Sequence, residues 1–317
     1  MGAKLVDEEH LRHPRVIIRT PRLLASGGAA ALREWVARVE AAGIDGVFCG
    51  DHVSFHDGRG FDALIDATAL AVLSERLTIW SAVYLLALRH AVPVARQVAS
   101  LAGLAPGRFM FGVGLGGEDP HELEICGVDP RRRGRRLDAH LDAVRALLAG
   151  DEVSIDNEFL SIPGALIRPA PQPRVPILVG GRSTAALART GRAADGWIAI
   201  WVSPARAEAA LSTIAEHAER YGRAHPPNRH AMTVWCGLGD TASQARSLVA
   251  PVMENLYKTP FDKFERYTPC GTPAEVAEAI APFVELGFHD IMLNGVAQDD
   301  ATLIALSKEV GQHLSAA

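Results

Sequence analysis

The sequence predicts an α/β chain folded as a (β/α)8 barrel with insertions, and three observations carry that expectation. Short apolar runs alternate with longer segments of helical period, eight such runs can be counted, and no glycine-rich phosphate loop follows the first of them. The runs are Arg15–Thr20, Gly46–Asp51, Leu77–Tyr84, Arg108–Gly114, Pro176–Gly181, Gly196–Trp201, Met232–Gly237 and Asp290–Asn294. Most are continuously apolar rather than alternating, as strands buried on both faces of a parallel sheet must be. A doubly wound open sheet would also alternate strands and helices, but Arg19-Thr20-Pro21-Arg22-Leu23-Leu24 lacks the glycines that its first turn would need. In a barrel, catalytic groups are expected at the carboxyl ends of the strands.

The connecting segments read as helices with identifiable ends. From Ala30 to Gly43, the residues Leu32, Trp35, Val36 and Val39 recur at three- and four-residue steps, and Gly43 suits a C-terminal stop. Thr272-Pro273-Ala274-Glu275 reads as an N-cap, a proline at the first position and an acid at the third, opening a helix to about Leu286 that Gly287 closes. A barrel of this kind needs about 250 residues, so about 65 of the 317 must be insertions. Residues 150–175 look like a hairpin with a proline-rich connection, and residues 250–271 carry three aromatics between Tyr257 and Phe264 without helical period. No linker, repeat or second domain is apparent, so residues 1–317 are expected to form a single domain.

Composition narrows the function classes. With 48% hydrophobic and 22% charged residues the chain can bury a large core. Its 32 basic and 37 acidic residues give a net charge of −5, without the basic excess that nucleic-acid binding requires. The four cysteines, Cys49, Cys126, Cys236 and Cys270, lie far apart with no C-x-x-C, which fits reduced thiols and a cytoplasmic location better than a disulfide framework or zinc cage. The stretch Met1 to Glu9 has no apolar run of secretory length, and the most apolar internal run, Trp80 to Leu88, stops at Arg89, so no membrane partner is expected.

Three strand ends carry candidate chemistry. The second closes on Phe48-Cys49-Gly50-Asp51-His52-Val53, where a carboxylate beside an imidazole can fix its tautomer and make a tunable acid, base or hydrogen-bond donor to a cofactor ring; the alternative is a loop aspartate capping a turn. The fourth runs through Gly112, Gly114, Gly116 and Gly117 to Glu118, and glycines there let a flat ring or a phosphate approach the backbone, or merely form a flexible turn. No helix follows that loop directly, so it is not a dinucleotide fingerprint. After the fifth strand, Gly180-Gly181-Arg182-Ser183-Thr184 opens a helix spanning Ala185 to Ala194, where free N–H groups, a dipole end, an arginine and hydroxyls suit a phosphate, or else serve as an ordinary cap.

Arg131-Arg132-Arg133-Gly134-Arg135-Arg136 reads as the start of the helix after strand four, either holding an anionic ligand tail or forming a solvated run. Arg89 and His90, after strand three, line the site or anchor a loop. No H-E-x-x-H, G-x-S-x-G or P-loop appears, which argues against zinc chemistry and the commonest hydrolase and NTPase classes.

In order, these segments resemble the luciferase-like monooxygenase family of flavin and deazaflavin barrels. The resemblance rests on Arg89-His90 with Pro93-Val94-Ala95-Arg96-Gln97-Val98-Ala99-Ser100-Leu101, on Pro106-Gly107-Arg108-Phe109, on Gly112-Val113-Gly114, on Pro176-Ile177-Leu178-Val179-Gly180-Gly181 and on Ala194-Asp195-Gly196-Trp197. It implies an oxidoreductase and a homodimer. Asp51-His52 resembles the pair of the branch that uses coenzyme F420, in which the histidine sits against the deazaflavin and assists transfer at its C5. By the same resemblance Glu118 falls near a site acid or base, Ala82-Val83 falls where members bulge the third strand with a non-proline cis peptide behind the ring, and Gly180, Gly181, Arg182 and Ser183 hold the cofactor phosphate.

The chain departs from the sugar-phosphate dehydrogenases of that branch. They place polar and basic residues after strand six, where this chain has Ile200-Trp201-Val202-Ser203, which favours an apolar carbonyl, alcohol or enone-type substrate. Arg89-His90-Ala91 likewise stands where the family has Arg-His-Pro. The resemblance implies hydride transfer with F420, or alternatively an FMN-dependent monooxygenase that uses reduced flavin and O₂.

Overall fold

The computed structural model describes residues 13–21 and 27–316; Met1 to Glu9 and Arg22 to Leu24, read above for a leader and a phosphate loop, lie outside the described residues. The chain divides into two compact units, one of Met1–Gly46, Ala199–Ala209 and Arg229–Ala317, the other of Val47–Ile198 and Ala210–Asn228.

The unit holding the N-terminal strand is built on β1 (Arg15–Arg19), β9 (His230–Leu238), β10 (Cys270–Gly271) and β11 (Phe288–Val296), in the order β10-β9-β11-β1 with every pairing parallel. Arg15 stands in register with Asp290, and their side chains form an ion pair. Helix α1 (Gly28–Ala42) buries Leu32, Trp35, Val36 and Val39, and Gly43 ends it at φ 79°, where a residue with a Cβ would be strained. Helix α9 (Pro273–Glu285) begins with the expected capping box: the Thr272 side chain accepts from the Glu275 N–H, and the Glu275 carboxylate accepts from the Thr272 N–H. The segment 250–271 is more regular than expected. Residues 250–257 are the last two turns of α8 (Ala242–Tyr257), which accommodates Pro251, and two 3₁₀ turns, Phe261–Lys263 and Glu265–Tyr267, follow. Helix α10 (Asp300–Ala316) ends this unit.

The other unit carries β2 (Gly46–Cys49), β3 (Thr78–Tyr84), β4 (Phe109–Val113), β7 (Ile177–Gly180) and β8 (Gly196–Ile200) side by side in that order. Strands β3 and β4, β4 and β7, and β7 and β8 run parallel. Every residue of β2 and β4 is buried, which is why these runs are continuously apolar. Helices α2 (Ala63–Leu73), α3 (Ala91–Leu104), α5 (Arg133–Ala149) and α6 (Thr184–Ala193) follow the strands. Helix α5 buries Leu137, Leu141, Val144 and Leu147 along one face, and each such leucine contributes about 1.5–3 kcal/mol by leaving water. The expected hairpin is present as β5 (Val153–Asp156) and β6 (Ser161–Ala165), and its proline-rich continuation contains cis Arg168-Pro169 and Gln172-Pro173 peptides.

One expectation is corrected. The glycine loop after β4 does lead directly into a helix, the short α4 (Pro120–Ile125) capped by Asp119, so the arginine run opens the second helix after β4 rather than the first. Helix α7 (Pro204–Arg220) follows β8. Counting β1, β2, β3, β4, β7, β8, β9 and β11, each with its helix, gives the eight repeats of a (β/α)8 barrel. Among the described residues no helix is long and apolar enough to cross a membrane.

Candidate active site

Asp51 and His52 leave the end of β2 in different partnerships. The Asp51 carboxylate is buried and accepts from the Leu85 N–H at 2.8 Å, the Ala63 N–H at 3.2 Å, and Arg89 Nη1 and Nη2 at 2.5 and 2.9 Å. Leu85 follows β3 and Ala63 opens α2, so one carboxylate ties together two strand ends and a helix start. Burial by itself would lower the Arg89 pKa, but the charge of Asp51 and its hydrogen bonds raise it, which keeps the guanidinium charged 4.3 Å above the Tyr84 ring. Asp51 is thus taken up by Arg89 and two backbone donors and does not orient the adjacent imidazole, as its position in the sequence had suggested.

The group that does is Glu122. Its Oε2 lies 3.0 Å from His52 Nδ1, and its Oε1 accepts from the Val53 and Ser54 N–H groups at 2.6 and 3.1 Å. The Glu122 side chain is 2% exposed, on α4. Burial pushes its pKa up, but the hydrogen bond and charge of His52, with the two backbone donors, hold it below the ordinary carboxylate value. One turn earlier, Asp119 accepts from the His56 N–H at 2.7 Å. Phe55 stacks on His52 at 4.0 Å and exchanges backbone hydrogen bonds with Arg59. The loop after β2 is therefore pinned at both His52 and His56. The His52 imidazole remains 31% exposed, and among the described residues no hydrogen bond is made to its Nε2.

Glu122 has a recognisable signature that the sequence reading passed over. Asp119-Pro120-His121-Glu122 repeats the pattern of Thr272-Pro273-Ala274-Glu275: N-cap, proline, acid at the third position. In α9 the acid turns back on its own cap; in α4 it reaches the loop after β2 instead.

The ends of β3, β4 and β7 adjoin. The Ala82-Val83 peptide is cis, and the β3–β4 register shifts between Ser81 and Tyr84. Gly114 N–H donates to the Tyr84 carbonyl at 2.9 Å. A Cβ on Gly114 would come 2.3 Å from Val83 Cγ2, and one on Gly180 would come 2.7 Å from Val83 Cγ1. These two glycines thus leave room for the Val83 side chain, whereas Gly116, Gly117 and Gly181 have φ of 64°, 124° and 118° and supply left-handed turns.

The remaining expected residues lie at the same strand ends. Glu118 is exposed at the end of the glycine loop. The Gly181 carbonyl accepts from Trp197 Nε1 at 2.6 Å, and Ser183 caps α6 by accepting from the Ala186 N–H. Arg182 is exposed beside that cap. The first N–H groups of α6 have no carbonyl partner within the helix. Of the arginine run, Arg132 and Arg135 pair with Glu158 of the hairpin, Arg136 Nε donates to the Ala87 carbonyl at 2.8 Å, and Arg133 lies against Gly117.

A family model described as luciferase-like monooxygenase matches residues 16–266, a span that includes every position discussed in this site. The chain belongs to the luciferase-like monooxygenase family. An F420-dependent glucose-6-phosphate dehydrogenase of Beutenbergia cavernae is 30% identical over 301 residues, covering 86% of this chain and 89% of that protein. An uncharacterized protein of Mycobacterium tuberculosis is 34% identical over 181 residues, covering 57% of this chain and 62% of the relative; the match to such relatives thus spans less than two thirds of their length. Among solved structures, an F420-dependent secondary alcohol dehydrogenase in complex with an F420-acetone adduct superposes with a TM-score of 0.80 at 19% identity, covering 94% of this chain and 98% of that one. That likeness shows the fold, the (β/α)8 barrel. Within the family's fold the structure brings His52, Val83, Gly114 and Gly180 to one group of strand ends, while Asp51 is enclosed by its own partners.

Proposed function

We propose that this luciferase-like protein is an F420-dependent oxidoreductase that transfers a hydride between the deazaflavin and an apolar carbonyl, alcohol or enone-type small molecule. The observation that carries the reading is the partly exposed His52 imidazole, held from behind by a buried carboxylate and presenting, just beyond the carboxyl end of β2, an Nε2 that takes no hydrogen bond among the described residues. The F420-dependent relative, alike over most of both chains, supports the choice of cofactor.

The residues present fit such a cofactor. The Gly180-Gly181-Arg182-Ser183 turn offers left-handed backbone at Gly181 and the open N–H end of a ten-residue helix, which suit a phosphate. The Ala82-Val83 bulge and Val83 side chain provide an apolar backing, and Gly114 and Gly116 shape the adjacent loop. When bound, F420 supplies the hydride donor or acceptor. His52 then holds or moves a proton at Nε2, Asp51 fixes the strand ends through Arg89, Leu85 and Ala63, and Glu118 at the rim is the second acid or base. Ile200, the last residue of β8, and Trp201 after it, in place of polar groups, support an apolar substrate over a phosphorylated sugar.

Fluorescence titration of the purified protein with F420 and with FMN tests the cofactor, and reduction of F420 by a panel of secondary alcohols tests the chemistry. Saturable F420 binding with alcohol-dependent reduction is expected, along with loss of reduction but retained binding in His52→Ala. Binding of FMN alone, with O₂ consumed by the reduced flavin complex, would overturn the reading in favour of a monooxygenase.

A further inference from the structure

We infer that Glu122 is a positioning residue for His52: it fixes the imidazole as the Nδ1-protonated tautomer and so presents Nε2 as a bare acceptor. This rests on the proposed role of His52 but not on the identity of the cofactor.

Donor and acceptor counting at the carboxylate carries the inference. An ionised carboxylate only accepts. Glu122 has its pKa lowered and is surrounded by donors, two backbone N–H groups on Oε1 and the imidazole on Oε2. The ring nitrogen facing Oε2 must therefore carry a proton, and in a neutral imidazole the other nitrogen then carries none. Rotation of the ring is opposed by the Phe55 stack at 4.0 Å, and the backbone on either side of His52 is anchored, its own N–H donating to the Phe61 carbonyl at 3.2 Å and the next two N–H groups to Glu122. Gly60 also lies so close that a Cβ there would come 2.2 Å from the His52 carbonyl oxygen. The charged groups around the ring are thus Glu122 directly and, through His56 and the same α4 turn, Asp119. Asp51, the neighbour in sequence, is spent on Arg89.

Replacing Glu122 by glutamine makes an unusual and specific prediction. The glutamine has one oxygen and one NH₂, and the Val53 and Ser54 N–H groups require the oxygen at the position of Oε1. The NH₂ then faces His52 Nδ1 as a donor, and the imidazole must give up its Nδ1 proton and carry it on Nε2 instead. The substitution is nearly isosteric, yet it reverses which ring nitrogen can accept.

The test uses the cofactor-free full chain labelled with ¹⁵N-histidine, with long-range ¹H–¹⁵N spectra at a pH where His52 is neutral and assignment by His52→Ala. Wild type should show His52 protonated on Nδ1, and Glu122→Gln should show it protonated on Nε2. With F420 and an alcohol the same variant should retain its affinity for F420 while turnover falls about 10²- to 10⁴-fold, the range of a positioned acid or base. An Nε2-protonated His52 in the wild type would overturn the inference, and that measurement needs no variant to fold. A reversed tautomer with unchanged turnover would overturn it as well. Failure of any F420 turnover in the wild type, with the Nδ1 tautomer intact, would instead count against the proposed cofactor and leave the positioning role standing.

Discussion

Gly114→Ala separates the two uses that a glycine at a strand end can have. The added Cβ would lie 2.3 Å from Val83 Cγ2 and 3.1 Å from Val83 Cβ, against ordinary contact beginning near 3.4 Å, so Val83 must retreat by about 1 Å. It has nowhere to turn. The β-branched side chain is stiff at χ1, and its other methyl already occupies the space that a Cβ on Gly180 would take, 2.7 Å away. Gly114 has no left-handed φ, so the cost is one of space alone, and overpacking of this kind costs about 1–3 kcal/mol. Val83→Ala removes two methyls from a half-buried position, costing about 1 kcal/mol by itself, and should absorb the new methyl. Guanidinium unfolding of the four proteins of this double-mutant cycle measures the coupling. Gly114→Ala is expected to be clearly destabilising alone and nearly neutral in the Val83→Ala background, a coupling of about 1–3 kcal/mol. Additive effects would refute the packing role, and unchanged stability with weakened F420 binding would show that the glycine faces the ligand instead.

Asp51→Ala leaves the Arg89 guanidinium without its buried partner and the Leu85 and Ala63 N–H groups unanswered, so a loss of about 3–5 kcal/mol is expected in denaturant unfolding, while the exposed Glu118→Gln should change stability by less than about 0.5 kcal/mol and be visible only in turnover. The Glu122 carboxyl has a folded-state pKa below its unfolded value, so its ionised form stabilises the fold above the unfolded pKa and that contribution is lost as pH falls through the folded value. The stability difference between wild type and Glu122→Gln should therefore be largest near neutral pH and shrink below about pH 4, the ordinary carboxylate range; unfolding midpoints of both proteins across that range check it, and a difference independent of pH would count against an ionised Glu122.

The fold was legible because burial on both faces leaves a simple mark on a strand. The eight apolar runs lie within a few residues of the strands, and the caps at Thr272 and Gly43 are local devices whose partners are at most four residues away. The site was legible only in part. His52 stood out by its place at a strand end, but its true partner lies 70 residues further along, and only the direction in which each side chain leaves the backbone decides between Asp51 and Glu122. The arginine run is ambiguous in the sequence for a similar reason: Glu158, which engages Arg132 and Arg135, arrives on the hairpin beyond α5.

The glycines show most clearly what a sequence withholds. It records where a Cβ is missing but not which atom fills the space. Gly112 and Gly114, two apart on the same face of the strand end, make room for the Ser81 carbonyl and for Val83, and Gly180 makes room for Val83 from the neighbouring strand. Gly116, Gly117 and Gly181 instead bend the chain at angles that other residues rarely adopt. In the proposed reading the two sets divide the labour of holding a cofactor: the left-handed turns shape the rim where a phosphate meets the backbone, and the close-packed set fixes Val83, which then presents the apolar surface behind the ring. Substituting the first set should strain the backbone and weaken cofactor binding, whereas substituting the second should destabilise the protein by crowding Val83 and the Ser81 carbonyl, with or without cofactor.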